Sequence, residues 1–127
     1  MPAATKPLKV ADASAVAAIL FGEPEAARMT SALENGRLHA PEIIDLELTS
    51  VLLKKVRRSP DERDRLLACF RLFGEFDIRR HPIDRTGVFI LAERSGLSAY
   101  DASYLWLAQE LRAELVTIDK RLGAAAG

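Results

Sequence analysis

The 127 residues carry 18 Lys and Arg against 18 Asp and Glu, for a formal net charge of +0, with 49% hydrophobic and 28% charged residues. That balance excludes a globally basic nucleic-acid or membrane-surface protein, and only 6 Pro and 7 Gly exclude a disordered or fibrous chain. Any contact with a polyanion must therefore be local, on a chain whose length suits one domain, residues 1–127.

In chain order, the apolar run Leu8 to Ala11 predicts a short strand, Asp12-Ala13-Ser14 a tight turn with capping residues, and Ala15 to Phe21 a helix stopped at Gly22. Pro24 sits in the first turn of a second helix, Glu23 to Asn35, which ends at Asn35-Gly36. A short strand over Arg37 to Ala40 follows. From Pro41 to about Arg58 a long helix is apolar nearly all round, through Ile44, Leu46, Leu48, Val51, Leu53 and Val56, which predicts a central, buried helix. Ser59 caps and Pro60 begins a helix to about Phe73, closed by Gly74. Its Cys69 is the only cysteine, which precludes an internal disulfide; it reads as a small buried hydrophobe and fits a reducing cytoplasm.

Phe76 to Arg80 predicts a strand, Asp84 to Arg94 and Ser98 to Arg112 helices separated by Ser95-Gly96-Leu97, and Leu115 to Ile118 the last strand. Asp119 then opens a terminal helix that decays into Gly123 and a flexible alanine tail. Strands alternating with helices imply an α/β fold, a three-layer α/β/α sandwich on a short, mostly parallel central sheet. No run approaches the ~20 apolar residues of a membrane span. Lys6 and Lys9 precede an apolar stretch, but Asp12 and Ser14 interrupt it and no small-residue cleavage site follows, so a cytoplasmic protein is expected.

Four acids stand out: Asp12, Glu47, Asp101 and Asp119. Asp12 and Asp119 each end an apolar run, and if those runs are neighbouring parallel strands, both carboxylates emerge at the sheet edge where open α/β sheets bind ligands. Each also has a plain structural explanation. Asp12 and Asp119 suit the N-cap of a following helix, and Ser98-Ala99-Tyr100-Asp101 matches a capping box. Glu47 lies on a face with Ile43, Ile44, Ser50 and Val51, too far past Pro41 to serve a first turn, so it needs a partner, for which Lys54 is available. As a set, four gathered carboxylates repel one another unless protons or a divalent cation compensate them. A bound metal would polarise a phosphate and activate water without a nucleophilic Ser or Cys.

With these residues the chain resembles a PIN domain, and among PIN domains the VapC toxins of bacterial toxin-antitoxin pairs. The resemblance rests on Val10-Ala11-Asp12-Ala13-Ser14 with Gly22-Glu23-Pro24-Glu25, and on His39-Ala40-Pro41 leading into Leu46-Glu47-Leu48. It continues through Leu97-Ser98-Ala99-Tyr100-Asp101-Ala102-Ser103-Tyr104 and Leu115-Val116-Thr117-Ile118-Asp119, covering nearly the whole chain. It implies an endoribonuclease dependent on Mg2+ or Mn2+, an RNA substrate, a homodimer, and a cognate antitoxin that blocks the active site. By position, Asp12, Glu47, Asp101 and Asp119 match the family's acidic quartet, with Asp12 and Asp101 as direct metal ligands and Glu47 and Asp119 acting directly or through water. Ser14 and Thr117 match its supporting hydroxyls. After Glu47 this chain has Leu48-Thr49-Ser50 where many relatives carry a small residue and then Asn, a departure in the surroundings of Glu47.

Among the basic clusters, Lys54-Lys55, Arg57-Arg58 and Arg79-Arg80 read as solvated faces, while Lys120 and Arg121 adjoin Asp119 and are candidate RNA phosphate contacts. His39 and His81 are not spaced as a zinc pair, and Tyr100, Tyr104 and Trp106 read as core or interface. An apolar groove around Ile19, Leu20, Met29 and Leu33 is expected to take an amphipathic antitoxin segment. Two other functions fit the same residues: a housekeeping PIN nuclease in RNA processing, and a non-catalytic binding module whose acids only cap helices.

Overall fold

The computed structural model describes residues 6–127. Strands β1 (Leu8–Ala11), β2 (Arg37–Pro41), β3 (Ile78–His81) and β4 (Glu114–Val116) form one sheet in the order β3-β2-β1-β4, with every neighbouring pair parallel. Parallel neighbours require crossovers, and helices supply them. Helices α1 (Ala13–Leu20) and α2 (Ala26–Leu33) join β1 to β2; α3 (Ile44–Arg58) and α4 (Arg63–Arg71) join β2 to β3. Helices α5 (Arg85–Ser95) and α6 (Ala99–Leu111) join β3 to β4, and α7 (Lys120–Ala126) follows. The consecutive residues Val10 and Ala11 of β1 point to opposite faces and both are buried, as are His39, Ala40 and Pro41 of β2, so helices cover the sheet on both sides.

The order of the strands locates the cleft. The chain steps outward from β1 to β2 to β3, then returns to place β4 on the other side of β1. Connections therefore leave the ends of β1 and β4 in opposite directions, opening a crevice at their C-terminal edge. Val10 lies opposite Leu115 and Ala11 opposite Val116, and the ladder ends when the Asp12 N–H reaches the Val116 carbonyl at 3.2 Å. Asp12 then caps α1, accepting from the Ala15 N–H at 3.0 Å.

Several boundaries differ from the sequence expectation, each for a local reason. Pro41 completes β2 opposite His81, so α3 begins at Ile44. Pro24 and Glu25 form a turn, and α2 begins at Ala26. The helix expected from Ser59 to Phe73 divides into a 3-10 turn at Pro60–Glu62, α4, and a second 3-10 turn at Leu72–Glu75. Strand β4 stops before Thr117 because the Ile118 N–H is taken by the Ser14 hydroxyl at 3.2 Å and the Asp119 N–H by the Thr117 hydroxyl at 2.9 Å. Helix α7 runs through Gly123 and the alanines to Ala126, where a tail was expected.

Helix α3 is not the buried centre. Only Ile44 and Leu48 on it are fully buried, while Leu46 is 66% exposed. Its remaining apolar residues serve other faces: Leu52, Leu53 and Val56 form a small cleft with Leu67 of α4. Helix α6 is the buried one, with Ala102 through Leu105, Leu107 and Ala108 out of solvent. The groove expected between α1 and α2 is closed. Gly22, at φ 65, turns the chain back so that Leu20, Met29 and Leu33 are buried against the core. Cys69 is half-buried at the core margin.

Candidate active site

The four acids selected from the sequence share one cleft. Asp12 one residue beyond β1, Glu47 in the first turn of α3, Asp101 in the first turn of α6 and Asp119 at the cap of α7 all line one cleft of about 450 Å³. Because α3 starts later than expected, Glu47 lies within its first turn after all.

Asp12 is the most closely held. Its Oδ1 accepts the Ser14 hydroxyl at 2.7 Å and the Ala15 N–H at 3.0 Å, and its Oδ2 accepts the Thr117 hydroxyl at 2.6 Å. Each hydroxyl has one proton to give. The backbone N–H groups of Ile118 and Asp119 occupy acceptor positions on Ser14 and Thr117, leaving both hydroxyl protons aimed at Asp12. The turns after β1 and β4 thus fix one carboxylate from both sides.

Glu47 has a partner the sequence reading missed. Tyr104, buried on α6, donates its phenol to Glu47 Oε1 at 2.7 Å. No ion pair joins Glu47 to Lys54; the five ion pairs among the described residues involve neither. Periodicity placed Tyr104 in the core, and a buried phenol needs an acceptor, but naming that acceptor required knowing that α3 and α6 face each other.

The electrostatics are those of crowded acids. Burial pushes the Asp12 carboxyl above its ordinary value, with the Asp101 charge adding to it and the hydroxyl and N–H bonds opposing it. Burial likewise raises Glu47, opposed by the Tyr104 bond and reinforced by Asp101 and Asp12. Asp101 is raised by burial and by Asp119, against the Ser98 hydrogen bond and the Arg121 charge. Burial and then Glu47 hold the Tyr104 phenol firmly protonated.

This donor set fits a hard divalent cation. It offers carboxylate oxygen and no His or Cys, and burial, with a smaller contribution from mutual charge, raises the proton affinity of Asp12, Glu47 and Asp101. Among the described residues no three such side chains converge tightly enough to enclose an ion by themselves. A cation here would have to take one or two of the carboxylates directly and reach the others through water.

The basic residues fall differently from expectation. Neither Lys120 nor Arg121 lines the cleft; Arg121 instead donates to the Gly96 carbonyl at 2.8 Å, tying α7 to the turn before α6. Lys54 is the one cation among the cleft-lining residues. Tyr100, expected in the core or an interface, is 60% exposed on the cleft wall. His39 and His81 meet at 2.7 Å, because the parallel register sets His39 opposite Arg79 and Pro41 opposite His81. Burial, then His81, Arg37 and Arg79, lower the His39 pKa.

An acidic, oxygen-lined cleft at the strand-order reversal of a parallel α/β sheet is the architecture to be matched. Residues 9–127 match the family model of the PIN domain, and the chain belongs to that family. Over 120 residues it is 38% identical to VapC ribonuclease Mb0985 of Mycobacterium bovis, covering 89% of this chain and 87% of the relative. Ribonuclease VapC9 of Mycobacterium tuberculosis matches to the same extent, 38% over 120 residues with the same coverage. Ribonuclease VapC3 of Pyrobaculum aerophilum is 29% identical over 118 residues, 89% of this chain and 90% of the relative. The crystal structure of PAE2754 from Pyrobaculum aerophilum superposes with a TM-score of 0.75 at 24% identity, over 96% of this chain and 81% of that one, a likeness of fold.

Proposed function

We propose that the protein is a metal-dependent endoribonuclease, the toxin of a type II toxin-antitoxin pair, working in the cytoplasm as a homodimer with Mg2+ or Mn2+ and restrained by a cognate antitoxin. The observation that carries the reading is the fixed Asp12 carboxylate in a cleft shared with Glu47, Asp101 and Asp119. The relatives named VapC ribonucleases support the substrate and the toxin role.

Asp12 and Asp101 would hold the ion, and Glu47 and Asp119 would complete the site directly or through water. An ion bound there would supply polarisation of the phosphate and a more acidic attacking water. Tyr104 engages Glu47 Oε1, leaving Oε2 to orient that water and take its proton. The water oxygen joins phosphorus, and the leaving ribose oxygen departs with a proton from solvent. Ser14 and Thr117 keep Asp12 oriented through this step.

A binding module whose acids only cap helices has one observation in its favour, since Asp12 and Asp119 both accept helical N–H groups. Capping leaves the Thr117 bond to Asp12 Oδ2 and the pairing of Tyr104 with Glu47 without a purpose. Incubating purified protein with RNA in Mg2+ or Mn2+, against EDTA and Asp101→Asn controls, tests the nuclease. Cutting in metal alone supports it, and metal-independent or absent cutting contradicts it. Growth arrest on expression, relieved by a co-expressed antitoxin, tests the toxin role, which a housekeeping nuclease would fail.

A further inference from the structure

We infer that Lys54 and Tyr100 grip the RNA on either side of the acidic cleft, Lys54 by a backbone phosphate beyond the scissile bond and Tyr100 by stacking on a neighbouring base. The inference rests on the nuclease reading above and adds the residues that select and hold the substrate.

Four carboxylates line the cleft and one lysine accompanies them. Its neighbour Lys55 is engaged by Glu23 at 2.8 Å, whereas Lys54 pairs with no described carboxylate, so its charge is available to a ligand. Lys54 follows Glu47 by two helical turns on the same face of α3, about 10 Å along the axis. That spacing lets the long side chain lean back along the cleft toward the acids, within reach of a phosphate next to the reacting one.

Tyr100 stands on the opposite wall, next to Asp101 in the first turn of α6. Its ring lines both the acidic cleft and an adjoining apolar cleft of about 420 Å³ bordered by Ile43, Pro82 and Ile83. A tyrosine that is 60% exposed where the two clefts adjoin is open to a base entering either one. Aromatic platforms with a basic track are how single strands are commonly held. Tyr104, four residues later, is buried with its hydroxyl given to Glu47, so the two tyrosines divide the work of holding substrate and holding an acid.

The test is the steady-state cleavage of a short RNA in Mn2+, repeated over a range of salt, with an RNA of the same length lacking the base next to the cut. Lys54→Gln should raise KM on every sequence and lower the salt slope by about one, with Lys54→Arg close to wild type. Tyr100→Ala should lose roughly 5- to 150-fold in kcat/KM, retained by Tyr100→Phe and absent on the base-deleted RNA. Unchanged KM and slope in Lys54→Gln, or an equal Tyr100→Ala loss on both RNAs, would overturn the inference. A Tyr100→Ala defect that tracks dissociation of an oligomer would also overturn it, by assigning the ring to a protein interface. If the wild-type protein cuts nothing in metal, the nuclease reading itself fails.

Discussion

Asp12 and Glu47 are each held by hydroxyl donors, and the two hydroxyl systems differ in how far the sequence could announce them. Ser14 lies two residues from Asp12 and Thr117 two from Asp119, close enough in sequence to be read with their acids. Tyr104 is 57 positions from Glu47 and was legible only as a buried aromatic. Removing its hydroxyl leaves the ring in place and one carboxylate oxygen unpartnered. A hydrogen bond to a charged group contributes about 1.5–3 kcal/mol, so Tyr104→Phe should lower kcat roughly 10- to 100-fold with circular dichroism unchanged. An unaltered kcat would remove Tyr104 from the proposed mechanism.

The raised carboxyls also set a pH dependence. Asp12, Glu47 and Asp101 hold protons more tightly folded than unfolded, so between about pH 4 and their folded-state pKa values the native state carries the extra protons. Stability of the metal-free protein from these groups is therefore full below the unfolded values and is lost as pH rises through the folded ones. Asp101→Asn removes one of the three. Thermal melts in EDTA should show the wild type losing ground to Asp101→Asn as pH rises from about 4 to 7, and added Mn2+ should narrow that gap. A gap that stays constant with pH would contradict the raised Asp101 carboxyl.

At the level of elements, strand and helix order was readable because Gly, Pro and capping residues punctuate the chain, and Asp12, Ser98 and Asp119 do cap α1, α6 and α7. Burial was harder to read. Helix α3 is apolar all round because its faces serve the core, the cleft wall and α4, whereas α6 hides Ser103 and Tyr104 by satisfying their hydroxyls on the Tyr100 carbonyl and Glu47. An apolar residue on every face of α3 therefore did not mean burial on every face. Leu48 and Leu46 separate the faces of α3. Leu48→Ala should cost about 2–5 kcal/mol in urea denaturation, and Leu46→Ala within about 0.5 kcal/mol of nothing. Comparable losses at both positions would put the core on the wrong face.

For the molecule as a whole, topology turns distant acids into one site. Residues 12, 47, 101 and 119 come from four separate segments, and only the crossovers to β2 and β3 with the return to β4 bring them together. The expectation that two apolar runs lie side by side and parallel was enough to locate the sheet edge, and β1 pairs with β4 as required. Cross-strand register was not available from the sequence. The meeting of His39 and His81 depends on it. Lys9 binds this central arrangement from the side, reaching the Ala32 carbonyl of α2 and Glu114 of β4.

Cleavage of total RNA by wild-type protein and Asp12→Asn, each in Mn2+ and in EDTA, with Mn2+ binding to both followed by calorimetry, bears most directly on a metal-dependent nuclease built around Asp12. Cutting and Mn2+ binding by the wild type, both lost in an Asp12→Asn protein that still melts cooperatively, is the expected result. Cutting that survives Asp12→Asn, or a wild type that neither binds Mn2+ nor cuts, would contradict it.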